Sequence, residues 1–190
     1  MYPFFRLGAE LARLPRAPAI GLLGTHVSTH RCWPWDLDPW IELNNGRTLT
    51  LYDLGRIPLV VRTGLARVMR ANRWNITVAG NSVRYRRRIR AFDRFTMLSR
   101  VLGWDGRFFY IEQGIWRRGE CCNHMLVRSA VTSGRGIVPP AEVLGRMGED
   151  PQGPPLPPWV EAWIAAEATR PWPPGLPALP PDMRTADLPG

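Results

Sequence analysis

The sequence predicts an α+β domain in which one long helix precedes a run of antiparallel strands. Apolar residues follow helical spacing from about Leu49 to Val61, and the period then changes to two residues. A length of 190 residues with 45% hydrophobic content suits one globular domain with extra sequence at its ends. We expect this domain at residues 25–147, between an N-terminal segment (1–24) and a C-terminal tail (148–190).

A strand and a helix are predicted first. Residues 25–33, "THVSTHRCW", alternate in the way typical of a strand. The helix rests on five apolar residues near helical spacing: Leu49, Tyr52, Leu54, Ile57 and Val61. Asn44 or Asn45 is a suitable N-cap, and Pro58 is expected to kink or shorten the helix.

The elements after this helix are mostly strands. "GLARVMRAN" predicts a second, short helix, and alternation then predicts four strands near residues 73–89, 95–105, 107–118 and 120–132. The first of these strands is expected to bend at "AGN", and Asp105-Gly106 and Arg118-Gly119 are expected turns.

The two ends of the chain have different compositions. Phe4, Phe5, Leu7, Leu11 and Leu14 alternate with arginines, so the N-terminal segment predicts an amphipathic helix. Such a helix packs on its own domain or makes a peripheral membrane contact, and no stretch is long enough to span a bilayer. The tail is rich in proline, and within it only Pro158–Thr169 could form a helix.

The net charge of +9 comes from arginine alone, because the sequence contains no lysine. Such a charge favours an anionic partner, whether nucleic acid, a membrane surface or a phosphate-bearing ligand. Cys32, Cys121 and Cys122 are a poor disulfide framework, which predicts a reducing, cytoplasmic location. Cys-Cys-x-His lacks the spacing of a zinc site, so we expect buried strand cysteines and no metal or cofactor.

The acidic stretch "DLDPWIELNNG" (36–46) has three interpretations. A calcium loop fails, since its fifth, sixth and twelfth positions would be Trp40, Ile41 and Arg47. A hairpin turn at Asn45-Gly46 has only brief alternation after it.

The third interpretation of this stretch is a loop that carries acids into a helix start. There a helix N-terminus could hold an oxyanion while Asp38 attacks or activates water. A purely structural role for Asp38, as the cap of a turn or of the helix start, stays open.

Residues 35–56, "WDLDPWIELNNGRTLTLYDLGR", resemble the signature of hotdog-fold acyl-CoA thioesterases of the 4-hydroxybenzoyl-CoA thioesterase type. The branch called thioesterase superfamily member six is most similar. It shares the Asp-Leu-Asp start, the Asn pair, an Arg two residues on, and the spacing of Asp53 and Arg56. "YRRRIRAFDRF" and "LGWDGRFFYIE" also resemble that branch, and the likeness covers about residues 25–132. It implies a hotdog fold, in which an antiparallel sheet wraps a long central helix. It also implies a homodimer or homotetramer, because family sites form between subunits.

The resemblance also implies roles for individual residues. Asp38 would be the catalytic carboxylate, and the amide of Asn45 would polarise the thioester carbonyl, beside Asn44 as a substrate-binding residue. Many relatives have Gly-His where this chain has Ile41-Glu42. Glu42 would therefore serve as a second acid or base, or mark a site that has lost hydrolysis. Asp53 is either catalytic or simply paired with a nearby arginine.

The run "RYRRRIR" (84–90) concentrates positive charge on a predicted strand. Strand alternation would place Arg84, Arg86, Arg88 and Arg90 on one face. Arg86 and Arg88 are candidates to bind the phosphates of CoA, and a solvated face or a subunit contact is the alternative. We expect no nucleic acid, because no helix-turn-helix or stacking-aromatic module is present.

These observations predict a cytoplasmic enzyme that hydrolyses an acyl-CoA or related thioester. The alternative is a non-catalytic hotdog protein that binds acyl-CoA or a protein partner. Glu42 in place of His is the feature that favours the alternative.

Overall fold

The computed structural model describes residues 2–175 and confirms the α+β class. The chain divides into two compact units, residues 1–155 and residues 156–190. The helices are α1 (Phe4–Arg13), α2 (Asn45–Arg62), α3 (Leu65–Asn72), α4 (Pro140–Met147) and α5 (Pro158–Ala168). The strands are β1 (Thr25–Arg31), β2 (Asn75–Tyr85), β3 (Arg94–Trp104), β4 (Phe109–Arg117), β5 (Glu120–Ser133) and β6 (Gly136–Val138).

The strands form one antiparallel sheet in the order β1-β3-β4-β5-β2, with β6 beside β5. Both predicted turns are confirmed, since β3 ends just before Asp105-Gly106 and β4 just before Arg118-Gly119. β2 has a register shift between Val78 and Gly80, which is the bend expected at "AGN". β1 and β2 are the edge strands among the described residues.

Helix α2 packs against the sheet through β1, β3 and β4. Its inner side is fully buried at Leu51, Tyr52, Leu54 and Leu59. Asn44 is the N-cap, as one of the two predicted alternatives had it. The expectation that Pro58 shortens the helix is wrong, because the helix continues to Arg62. The buried Pro58 and the core residues Leu59 and Val60 hold this last turn against the sheet.

Gly55 lets α2 approach the sheet closely. A Cβ built at this position would lie 2.6 Å from Met97 Sδ and in still closer contact with Ser99 Oγ. Only a glycine allows this approach without displacing the sheet side chains. The short distance between α2 and the sheet therefore depends on the absence of a side chain at position 55.

The predicted strand through the arginine run is wrong after Tyr85, where β2 ends. The N–H groups of Arg86 and Arg87 both donate to the Cys122 carbonyl, at 2.8 and 2.9 Å. Two consecutive donors on one acceptor turn the chain out of the strand register. Ile89, which is 2% exposed, then fixes the segment to the core, so Arg86 and Arg88 lie in a loop and not on a strand face.

The ends of the chain contain the two expected helices. α1 contacts α2 and packs Leu7 against the core. The helix predicted within Pro158–Thr169 is confirmed as α5, in the second unit, while residues 176–190 of the predicted tail lie outside the described residues. Across residues 2–175, no helix combines the length and apolarity needed to cross a membrane.

Candidate active site

The start of α2 is fixed by its own capping residue. The Asn44 side chain accepts a hydrogen bond of 2.9 Å from the Arg47 N–H. The N–H groups of Asn45 and Gly46 have no intrahelical acceptor, because the first turn of a helix has no preceding helical carbonyls. The helix dipole adds partial positive charge at this end, which suits a developing oxyanion.

Asp36 has a structural role at this junction. It is completely buried and forms ion pairs with Arg6 (2.8 Å) and with Arg47 (2.6 Å). Its carboxylate also accepts a hydrogen bond from the Trp33 N–H at 3.0 Å. Asp36 thus ties α1, the loop and the first turn of α2 together.

Asp38 shapes the loop between Asp36 and α2. Its Oδ1 accepts hydrogen bonds from the Trp40 N–H (2.9 Å) and the Glu42 N–H (3.4 Å). Its N–H donates to the Glu42 carbonyl at 2.9 Å, and Leu37 and Leu43 pair as an antiparallel bridge. Asp38 therefore caps a tight turn, the structural role that stayed open in the sequence, and its side chain is only partly exposed.

A cavity of about 160 Å³ lies at the N-terminal end of α2. It brings together four of the six predicted site residues, namely Glu42, Asn45, Arg86 and Arg88. Asp38 and Asn44 do not line it. The cavity is thus lined by the helix start, by one carboxylate and by residues 86–89 of the loop after β2, which we name the arginine loop.

The charges around this cavity are mostly positive. Glu42 lies 2.8 Å from Arg88 in an ion pair, and Arg87 pairs with Glu120 at 2.5 Å. Arg86 is exposed and has no ion-pair partner within the described part of the chain. One unpaired guanidinium at the mouth of a cavity is suited to an anionic group.

The cavity is also lined by polar residues that the sequence did not predict as part of a site, among them Thr48, Tyr85 and Asn123. The Tyr85 hydroxyl donates to the Asn45 carbonyl at 3.4 Å, and burial raises the pKa of Tyr85. Asn123 accepts a short hydrogen bond from the Tyr52 hydroxyl. Asn123 follows the two cysteines, so its only sequence signal was the string that was interpreted as buried cysteines.

Asp53 and Arg56 form a partly buried ion pair further along α2. Arg56 also donates to Gln113 at 3.2 Å, and burial lowers the pKa of Arg56. Burial is the main cause of the raised pKa of Tyr2, and the negative charge of Asp53 and the hydrogen bond that Tyr2 donates to Asp53 add to it. The pairing of Asp53 matches the non-catalytic alternative, and neither residue lines the cavity at the helix start.

Two more cavities, of about 220 and 330 Å³, lie between α2 and β2. Both are lined by Asp53, Arg56 and Val78. The larger one is mainly apolar and extends to Val60 and Met69. In residues 2–175 no group of three His, Cys, Asp or Glu side chains could hold a metal ion.

A long helix packed against a curled antiparallel sheet is the architecture of the hotdog fold. A family model described as the thioesterase-like superfamily matches residues 32–164, which is well over half of the chain. The chain belongs to this superfamily. Two solved structures show the same fold at low sequence identity. The probable thioesterase YbaW of Escherichia coli has a TM-score of 0.57 at 18% identity, over 64% of this chain and 96% of that one. A probable thioesterase of Bartonella henselae has a TM-score of 0.54 at 21% identity, over 61% of this chain and 97% of that one.

The similar curated proteins confirm the predicted branch. Protein THEM6 of Drosophila melanogaster is 30% identical over 138 residues, which covers 71% of this chain and 69% of that protein. Protein THEM6 of Xenopus laevis is 36% identical over 92 residues, or 48% of this chain and 44% of that protein. The matched segment therefore spans less than half of the Xenopus relative.

Proposed function

We propose that this protein hydrolyses acyl-CoA thioesters at the cavity where α2 begins. One observation carries the proposal: Asn45, whose N–H has no intrahelical acceptor, lines a cavity that is also lined by a carboxylate and by arginines. Membership of a thioesterase-like superfamily supports hydrolysis as the reaction.

The thioester carbonyl oxygen would accept a hydrogen bond from the Asn45 N–H, which strengthens as negative charge develops on that oxygen. Asp38, which lies in the loop before α2 and does not itself line the cavity, is the proposed catalytic carboxylate for a substrate that extends past the cavity to this loop. Its Oδ1 is held by the loop, whereas Oδ2 has no hydrogen-bond partner among the described residues. Oδ2 can attack the carbonyl carbon, expelling the CoA thiolate and leaving an anhydride for water to cleave, or it can take a proton from an attacking water.

Glu42 is the second carboxylate of the proposed site, because it lines the cavity itself. The ion pair with Arg88 holds the Glu42 carboxylate beside the arginine loop. In this arrangement the Glu42 carboxylate accepts a hydrogen bond from the attacking water and orients it, while Asn44 holds the helix start in place.

The CoA end and the acyl end of the substrate would contact two different surfaces, one positively charged and one apolar. Arg86, and Arg88 through the guanidinium nitrogens other than the Nε that pairs with Glu42, would bind the phosphates of CoA at the polar cavity. The apolar cavity of about 330 Å³ between α2 and β2 suits an acyl group.

We further propose that a second copy of the chain completes the site. β2 is an edge strand of 11 residues, mostly exposed on both faces, and such an edge is a template for pairing with another chain. Val78 and Asn81 of β2 line the cavities along α2. Pairing of β2 with a strand of a second copy would therefore enclose these cavities between the two chains. A homodimer in sedimentation velocity experiments supports this arrangement, and a monomer at micromolar concentration contradicts it.

The decisive experiment measures thiol release from a panel of acyl-CoA esters. Asp38→Asn is expected to lower kcat by about 100-fold or more with little change in folding, because a catalytic carboxylate contributes on that order. Glu42→Gln separates the second carboxylate from the first, and Asp150→Asn is a control at an exposed acid outside the cavity. Wild-type rates in Asp38→Asn would refute its role. Tight acyl-CoA binding without any turnover would favour the non-catalytic alternative.

The arginines have their own test. Arg86→Gln with Arg88→Gln is expected to raise KM for CoA esters while leaving KM for N-acetylcysteamine thioesters, which lack phosphates, unchanged. Equal effects on both substrate types would show that these arginines do not bind phosphate.

A further inference from the structure

The outer side of α1 carries an apolar face that the domain does not cover. Phe5 is 96% exposed and Phe4 is 69% exposed. The small residues Gly8, Ala9 and Ala12 complete the exposed side of this helix. Large exposed aromatic side chains on one helix face are typical of a contact surface.

The inner side of α1 prevents this face from turning inward. Leu7 packs against the core. Arg6 donates to the buried Asp36 carboxylate at 2.8 Å and to the Arg31 carbonyl at 2.8 Å. Rotating the helix to bury the phenylalanines would break this buried ion pair, so their exposure is a fixed feature of the fold.

Exposed tryptophan lies next to the anchor of α1. Trp35 precedes Asp36, is 69% exposed, and stacks on Trp33 with ring centroids 5.4 Å apart. Phe92, which is 56% exposed, forms a T-shaped pair with Trp33, with ring centroids 6.1 Å apart. Tryptophan is favoured at the boundary between water and the lipid headgroups, because its ring is apolar and its N–H is polar.

Exposed arginines occur in the same segments of the chain as these aromatic residues. Arg31 places its guanidinium 5.6 Å from the Trp33 ring centre, and Arg16 is exposed in the turn after α1. Arg13 is also exposed, although its charge is balanced by Glu10 at 2.6 Å. We name Phe4, Phe5, Trp35 and Phe92, with Arg16 and Arg31, the aromatic surface.

We infer that the aromatic surface binds the surface of a lipid bilayer that contains anionic lipids. Apolar rings beside arginines match the two layers of a bilayer boundary, with acyl chains below and negative headgroups above. A second copy of the chain is a poorer occupant. A symmetric contact would place the same patch, and so the same arginines, on both sides. The bilayer complements both parts of the surface at once.

The test is sedimentation of the full chain with vesicles of phosphatidylcholine alone or of phosphatidylcholine with phosphatidylglycerol. Wild type is expected to bind the anionic vesicles, more weakly at high salt, with a blue shift of tryptophan emission. Phe4→Ser with Phe5→Ser is expected to weaken binding about tenfold or more, because the insertion of two aromatic rings is lost. Arg16→Gln with Arg31→Gln is expected to remove the preference for anionic lipid.

A matched control keeps the test specific. Ile137→Ser removes a 38% exposed apolar side chain on β6 and is expected to bind like wild type. The Phe4→Ser, Phe5→Ser variant is expected to hydrolyse a water-soluble short-chain acyl-CoA thioester at the wild-type rate. A failure of the membrane proposal can therefore be told apart from a failure of the proposed activity. Absence of wild-type binding, or equal binding by that variant, overturns the inference. An oligomer that this variant dissociates, with no vesicle binding by wild type, overturns it in favour of self-association.

Discussion

Two buried histidines on the inner face of β1 make the fold sensitive to acid. His26 is 5% exposed and accepts a hydrogen bond from Arg62 at Nδ1 (3.0 Å), and its buried Nε2 has no hydrogen-bond partner among residues 2–175. His30 is 7% exposed and shares a hydrogen bond of 2.8 Å with Ser28. Burial lowers the pKa of both histidines to about 4, helped by Arg62 at His26 and mainly by Arg6 at His30.

The sign and size of the effect follow from these values. Below an ordinary pKa of about 6.5 the unfolded histidines bind protons, whereas the folded ones stay neutral until about pH 4. The free energy of unfolding therefore falls as the pH drops through this window, by about 1.4 kcal/mol per unit for each histidine. The full shift corresponds to about 3 kcal/mol for each histidine. Burial raises the pKa of Glu10, so Glu10 has the opposite effect: above pH 4.5 its contribution makes the free energy of unfolding fall as the pH rises.

Urea unfolding followed by circular dichroism at pH 7, 6 and 5 measures this dependence. The double variant His26→Gln, His30→Gln lacks both titrating groups and is expected to lose most of the acid sensitivity, although its stability at pH 7 also changes. The reasoning would be refuted if the double variant kept the wild-type slope of unfolding free energy against pH. A wild type equally stable at pH 7 and pH 5 would refute it as well.

Two further predictions concern stability and use the same unfolding assay. Gly55→Ala is expected to lower the free energy of unfolding by about 1–2 kcal/mol, because overpacking against the sheet outweighs the better helix propensity of alanine. Its matched control, Gly8→Ala, meets no atom within 4 Å and is expected to raise it by about 0.5–1 kcal/mol, so similar shifts in both variants would contradict the close approach. Asp36→Asn is expected to lower the free energy of unfolding by about 3 kcal/mol, since it leaves Arg6 and Arg47 without their shared acid. A loss below about 1 kcal/mol would show that Asp36 is not the structural anchor that its burial indicates.

The helix and the hairpin order could be predicted because their signals are local. Spacing of apolar residues defines α2, and the two Gly-containing turns define the antiparallel strands on either side of them. The end of β2 could not be predicted. Its cause is the Cys122 carbonyl on another strand, which is far away in the sequence and accepts two N–H groups of the arginine run.

The candidate site was partly predictable for the same reason. Glu42 and Asn45 adjoin the helix start in the sequence, so their place at the cavity follows from local pattern. Tyr85 and Asn123 come from two different strands and meet there only through strand pairing. The turn-capping hydrogen bonds of Asp38 were likewise invisible, since they depend on how tightly the loop closes.

The main chain anchors the arginine loop to the sheet, while the guanidinium groups of Arg87 and Arg88 form ion pairs with Glu120 and Glu42. Both anchoring hydrogen bonds come from main-chain N–H groups, and Ile89 supplies the buried side chain. The main chain thus sets the path of the loop and the side chains set its charge. The side chains at 86 and 88 can therefore be substituted while the loop keeps its path. Substitutions at these positions could therefore change the charge at the edge of the cavity, from positive to neutral or negative, without changing the fold.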